Sequence, residues 1–285
     1  MRLICVGDLM AELVVRPPNA ASLGGEAPAT FVTRAGGQAL NVARAARRVG
    51  GQSILHAAVG SDVWGRWLTV ELRRLGIGAK LQVTLEPTGL VLSLAATGQR
   101  TMYAQRGANA HLKLARIRLP KHGALYLSGY LLGNPDADRE VVRLLNEAQG
   151  RGLLTAVDTP PADILSALGA ERFLAAFSKA KVLFTTQEEG QRLVAGGALE
   201  QVATELARRF PLVVIKLGAQ GCWVQQGADG DHVPTTPLEP VDATGAGDAF
   251  CGGFLVAQGQ GQPPLEAAAF AHRVAAETIM ASSDA

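Results

Sequence analysis

Apolar positions recur along this chain in two rhythms, and the places where one gives way to the other divide it. Residues 3–6 form an unbroken apolar run, as in a strand buried on both faces. Positions 12–15 and 30–33 read as short β segments around a stretch rich in Ala, Pro and Gly, and they do not fit a βα repeat. Small and apolar residues at helical spacing predict a helix over 40–49. A strand over 55–59 and a helix over 64–75 follow, with Asp62 placed to cap that helix. Alternation returns over 82–85, 91–95 and 101–104, with turns at Pro87-Thr88-Gly89 and Thr97-Gly98-Gln99-Arg100. Beyond residue 120, strands over 124–127, 153–157, 182–184 and 212–217 alternate with helical stretches over 136–149, 162–177 and 189–209. The last of these is interrupted at Gly196-Gly197, and a closing helix is expected over 263–280.

This succession predicts an α/β fold of three layers, α/β/α, around a mostly parallel sheet. The segments that break the repeat, approximately 11–34 and 88–103, read as a small β lid inserted into one domain spanning 1–285. The strand over 82–85 is grouped with the second lid segment. Lid strands with open edges can pair with a second copy of the chain, so a homodimer through the lid is one expected arrangement.

Composition removes several alternatives. With 285 residues, 48% of them apolar and 18% charged, the chain can bury a core and is no disordered segment. A net charge of +2, with no basic cluster interleaved with aromatics, argues against a nucleic-acid partner. No apolar run approaches the about 20 residues of a membrane span, and the chain opens directly on a strand rather than on a leader. Cys5, Cys222 and Cys251 lie in apolar runs without metal spacing, which suggests buried thiols in a reducing compartment. A cytoplasmic protein is therefore expected.

The chemistry concentrates in residues 241–253, VDATGAGDAFCGG. Gly245, Gly247 and the pair Gly252-Gly253 read as glycine-allowed bends around one acid, Asp248. A Gly-x-Gly turn opening a helix leaves backbone N–H groups without intrahelical partners, and the helix dipole adds positive charge. Such a turn holds a phosphate or a developing anion. A carboxylate in the same turn would repel a resting phosphate, but it suits a base that takes a proton from an attacking hydroxyl. A plain helix start with a first-turn acid is the competing reading. Earlier in the chain, Gly36 and Gly37 let the backbone approach a ligand, and Asn41, in the following helix, offers donor and acceptor to a sugar hydroxyl. Arg106 is more than a neutral sugar needs. It suits an acidic sugar, or else a solvated or phosphate-facing position. No GxxxxGK[ST] occurs, which removes a Walker-type nucleotide site.

The octet DATGAGDA resembles the second signature of the ribokinase-like (PfkB) carbohydrate kinases, and GG-x-x-x-N at Gly36, Gly37 and Asn41 resembles the first. The resemblance implies a ribokinase-like fold and ATP-dependent phosphorylation of a sugar or sugar acid, with Mg²⁺ and in some cases a monovalent cation. It assigns Asp248 as catalytic base and Gly245, Ala246 and Gly247 as the anion hole. Asp8 would hold substrate hydroxyls with Gly36, Gly37 and Asn41, and Arg106 and Asn109 would lie near the sugar. Thr244, Lys216, Gly218 and Gly221 would border the nucleotide. Where the family carries Asn-x-x-Glu to order the metal, this chain has Thr186 and Glu189, either a metal-ordering pair or a helix cap with a first-turn acid. The closing helix would wall the adenine near Ala271 and His272. A nucleoside kinase, or a non-catalytic binding protein of the same fold, remains an alternative.

Overall fold

Strand β1 (Arg2–Val6) sets the layout. Leu3 and Cys5 enter the hydrophobic core on one face of the sheet, and Ile4 and Val6 enter the core on the other. A strand apolar on both faces needs cover on both, and here helices supply it. The computed structural model of the chain describes residues 1–17, 25–96, 99–134, 136–237 and 245–283. The chain leaves β1 for β2 (Met10–Arg16) and β3 (Thr30–Gly36), then returns through α1 (Gln38–Arg48) to β4 (Gln52–Gly60), α2 (Val63–Arg74) and β5 (Gly78–Thr84). A second excursion forms β6 (Leu90–Ala96) and β7 (Gln99–Gln105). The βα alternation then runs through β8 (Ala124–Ser128), α3 (Ala137–Gly150), β9 (Leu154–Asp158), α4 (Ala162–Leu168), α5 (Ala170–Ala176), β10 (Val182–Thr186), α6 (Gln187–Leu193), α7 (Leu199–Ala207) and β11 (Leu212–Lys216). It closes with β12 (Cys222–Gln226), β13 (Asp229–Val233), α8 (Ala246–Gly259) and α9 (Pro264–Ser283).

The large sheet has the order β13-β12-β11-β10-β9-β8-β1-β4-β5, parallel except for β12 and β13. Helices α1, α2, α8 and α9 cover one face, and α3 to α7 cover the other. Succession moves outward from β1 through β4 to β5, then resumes on its opposite side at β8. That reversal opens a crevice at the carboxyl ends of the strands, where open α/β sheets bind ligands. The four excursion strands form a separate sheet of order β3-β2-β6-β7, with β2 and β6 parallel.

Three expectations need correction, and one strand carried no expectation. The strand over 82–85 belongs to the large sheet. β5 pairs in parallel with β4, and its alternation reflects an exposed edge rather than a lid. The helix over 162–177 is two, because Gly169 at φ 88° separates α4 from α5. The polar strand β13 carries no apolar signal and exists by hydrogen bonding to β12 at an open edge. Gly247, Gly252 and Gly253 are helical and not bends. A Cβ on Gly252 would stand 2.6 Å from the Val42 carbonyl oxygen of α1, and one on Gly253 would stand 2.9 Å from Val274 of α9. The pair lets three helices pack closely. The expected turn at Thr97-Gly98 lies outside the described residues.

Candidate active site

The carboxyl ends of β1, β8, β9, β10 and β11 deliver Asp8, Ser128, Asp158, Thr186 and Lys216 to one crevice, and the amino end of α8 faces them. Gly245 caps α8 in the left-handed region, at φ 81° and ψ 0°. The first return bond of the helix comes from Ala249 N–H to Gly245 C=O at 2.8 Å. The N–H groups of Ala246, Gly247 and Asp248 precede it and have no intrahelical acceptor.

Asp248 accepts a hydrogen bond from Asn41 Nδ2 at 2.8 Å, which joins the two expected signatures across 207 residues. Burial pushes its carboxyl up to about 7. The neighbouring Asp158 adds to the shift, while the Asn41 bond and the Lys216 charge oppose it. Asp158 is fully buried. It pairs with Lys216 Nζ at 2.7 Å and takes further contacts from Gln38 Nε2 at 3.3 Å and the Cys251 thiol at 3.5 Å. Burial raises Asp158 to about 6, against the pull of Lys216. Burial alone would favour a neutral Lys216, but the Asp158 carboxylate outweighs it and keeps the ammonium charged. A Cβ on Gly247 would lie 3.6 Å from Lys216 Nζ, so this cation stands beside the anion-binding turn. Sequence reasoning missed Asp158 and Gln38. The signal for Asp158 was the apolar strand run over 153–157 ending in an acid.

Asp8 is buried at 3% exposure, and Arg106 Nη2 lies 2.5 Å from its carboxylate. Burial raises the Asp8 carboxyl, and the arginine pulls against that shift. The guanidinium rests over the Tyr130 ring, 4.7 Å from its centre. Gly37 adopts φ 115°, and any Cβ there would collide with the Asp8 carbonyl, so glycine is required where β3 meets α1. Gly36 sits against the Glu12 carboxylate. Asn109 has a different role from the expected one. Its amide oxygen accepts from Leu9 N–H and its nitrogen donates to Leu9 C=O, both at 3.0 Å. It braces the backbone next to Asp8 from behind.

Thr186 and Glu189 form a capping box at the start of α6. Glu189 Oε2 accepts from Thr186 N–H at 2.9 Å and from Thr159 Oγ1 at 2.5 Å, which leaves Oε1 without a hydrogen bond among the described residues. Among the described residues no three His, Cys, Asp or Glu side chains converge as a metal site. Gly218 and Gly221 turn the chain between β11 and β12 at φ 61° and 99°. With Lys216, Ala246, Gly247 and His272 they line a cavity of about 330 Å³. His272 is packed against Phe250, with Nε2 3.2 Å from the Val233 carbonyl oxygen. Thr244 lies outside the described residues, as do Asp242 and Ala243 of the octet.

The model of the pfkB family of carbohydrate kinases matches residues 1–285, the full chain. The chain belongs to that family. The sequence of this pfkB kinase is 28% identical over 267 residues to Fructokinase-1 of Oryza sativa subsp. japonica, covering 88% of this chain and 81% of the relative. It is 26% identical to the ribokinase of Bacillus subtilis, covering 98% and 93% of the two. Its fold matches adenosine kinase from Sinorhizobium meliloti with a TM-score of 0.86 at 22% identity over 98% of this chain and 94% of that one. It also matches ribokinase from Thermotoga maritima with a TM-score of 0.81 at 23% identity, covering 98% and 92%. The pfkB kinase thus has a ribokinase-like fold. No helix among its described residues is long and apolar enough to cross a membrane.

Proposed function

We propose that this kinase transfers the γ-phosphoryl group of ATP to a hydroxyl of a sugar or sugar acid, with Asp248 as general base. The observation that carries the reading is the position of Asp248, whose partly buried carboxylate lies in the turn of three N–H groups that have no intrahelical acceptor. The acceptor hydroxyl sits between Asp248 and the Asp8–Gly37–Asn41 wall. Asp248 takes its proton as the oxygen attacks phosphorus, and the bond to the departing ADP oxygen breaks. The Ala246, Gly247 and Asp248 amides and the Lys216 ammonium face the transferring charge, in a site whose low polarity strengthens each interaction. The nucleotide occupies the cavity between the Gly218–Gly221 turn and α9. That the fructokinase of Vibrio cholerae has been crystallised with fructose, ADP and potassium or calcium ions supports this use of nucleotide and metal.

The donor set suits a magnesium ion carried mainly by phosphate oxygens and water. Glu189 Oε1 is available to it, and a three-carboxylate cage is lacking among the described residues. The ion would neutralise phosphate charge. The small sheet acts as a lid that excludes water from the acceptor, since water would otherwise take the phosphoryl group. The Asp8–Arg106 pair favours an acceptor that offers hydroxyls to the carboxylate and an acidic group to the guanidinium.

The test is ADP release with Mg²⁺ over a panel of sugars, sugar acids and nucleosides, run on the wild type and on Asp248→Asn. One compound should stimulate turnover strongly. The variant should lose roughly 10²–10⁴-fold in kcat while binding nucleotide as before. Equal loss of nucleotide binding would remove Asp248 from the role of base.

A further inference from the structure

A second cavity, of about 290 Å³, lies between the lid, α1, α2 and the far end of α9. Asn41 and Gly245 form part of its wall, so it adjoins the phosphoryl-transfer centre. Five arginines line it. Arg16 and Arg34 come from the lid strands, Arg44 and Arg48 from successive turns of α1, and Arg74 from α2. Two glutamates share the lining and are already committed: Glu12 accepts from Arg34 Nε at 3.0 Å, and Glu71 accepts from Arg74 at 2.7 and 2.8 Å. Three positive charges remain in excess, more than the net charge of +2 on the whole chain, so the surplus is concentrated here.

Arg16, Arg44 and Arg48 form no ion pair with a carboxylate among the described residues, although the Glu71 charge acts on Arg44. Arg44 reaches the Ala35 carbonyl at 3.5 Å, Arg48 reaches Thr278 Oγ1 at 3.2 Å, and the Arg16 side chain makes no hydrogen bond among the described residues. Arg44 is half-buried, and burial together with the charges of Arg48, Arg34 and Arg74 works against its protonated form, with only Glu71 opposing. Like charges gathered in a partly desolvated cavity repel one another, and a bound anion would reverse that cost. Guanidinium groups present planar pairs of N–H donors that match the oxygens of phosphate and carboxylate.

We infer that this cavity is a binding site for an oxyanion, a phosphate or carboxylate group on a small molecule, held jointly by arginines of the lid and of the body. The group comes either from a free anion or from a second acidic group on the acceptor. The latter source rests on the proposed kinase function. Because the arginines come from both sides, an occupied site ties the lid to α1 and α2.

The test begins with inorganic phosphate added to the full chain at ionic strength matched with chloride, read by thermal unfolding. The wild type should melt at higher temperature with phosphate, and Arg44→Gln and Arg48→Gln should each lose that rise. Arg48 is exposed, so its variant keeps the test valid if Arg44→Gln folds poorly. A rise that persists in both variants places the phosphate elsewhere and overturns the inference. Kinetics then separate the two sources. A KM for a phosphorylated or carboxylated acceptor raised tenfold or more by Arg48→Gln, with neutral-acceptor kinetics unchanged, assigns the site to the acceptor. A phosphate effect without that preference assigns it to a free anion. Absence of both overturns the site, and normal turnover of a neutral sugar in the same protein would leave the kinase reading standing.

Discussion

At the scale of single residues, the proposed base and its surroundings fix a pH dependence. Asp248 is useful only when deprotonated, and its carboxyl is pushed up to about 7. The acceptor kcat/KM should therefore fall about tenfold per pH unit below about 7. Lys216→Met removes a charge that now lowers Asp248, so the acidic limb should move to higher pH in that variant. A limb that stays in place would separate Lys216 from the base. The same shift has a sign for stability. A folded-state value above the unfolded one stabilises most at acid pH, and that contribution is lost as pH rises through about 7. Asp248→Asn should flatten this trend in thermal unfolding followed between pH 5 and about 8. The position of Asp248 was legible in the sequence because the Gly-x-Gly-Asp spacing encodes a local structure. The Asp158–Lys216 pair was not, because its 58-residue separation closes only when β9 and β11 flank β10.

At the scale of elements, two helix starts carry the site, and they differ in legibility. The start of α8 is announced by glycine, since Gly245 must take a left-handed φ that other residues resist. The start of α6 shows how a motif can have two readings from sequence. Thr186 and Glu189 complete a capping box, a structural role that leaves one carboxylate oxygen over for chemistry. Gly247 offers a clean test of the anion hole. Its backbone is helical, and an added methyl would only reach ordinary contact with Lys216 at 3.6 Å. Gly247→Ala should thus keep the melting temperature within a few degrees, with only a small change in stability expected at a compatible helical site. Turnover should fall at least roughly 10²-fold if the methyl displaces a phosphate oxygen from the amides. Parallel turnover in variant and wild type would remove this turn from the mechanism. The edge strands were read less well than the core strands. β5 and β13 lack the apolar runs that burial imposes, so pairing partners decide their sheet.

At the scale of the whole molecule, the small sheet presents an apolar outer face. Phe31, Leu92, Leu94 and Tyr103 are exposed at 62%, 37%, 37% and 63%, and cross-strand register through Leu13 and Val15 sets them on one side. A face of this kind on a four-stranded sheet suits a second copy of the chain. Light scattering should find a dimer that Tyr103→Glu and Phe31→Glu convert to monomer, and a monomeric wild type would refute the arrangement. The layered architecture itself was legible from the alternation of strands and helices after residue 120, because burial on both faces writes itself into unbroken apolar runs. One consequence of that burial concerns the thiols. Cys5, Cys222 and Cys251 are all buried, and burial pushes each thiol above its ordinary range. A cysteine introduced at Met102, exposed at 58% on the other side of the small sheet, would then be the fastest-reacting sulfur in the molecule. A fluorophore could be placed there without first removing the native three, and the position of the small sheet could be followed by optical spectroscopy in an otherwise unaltered enzyme.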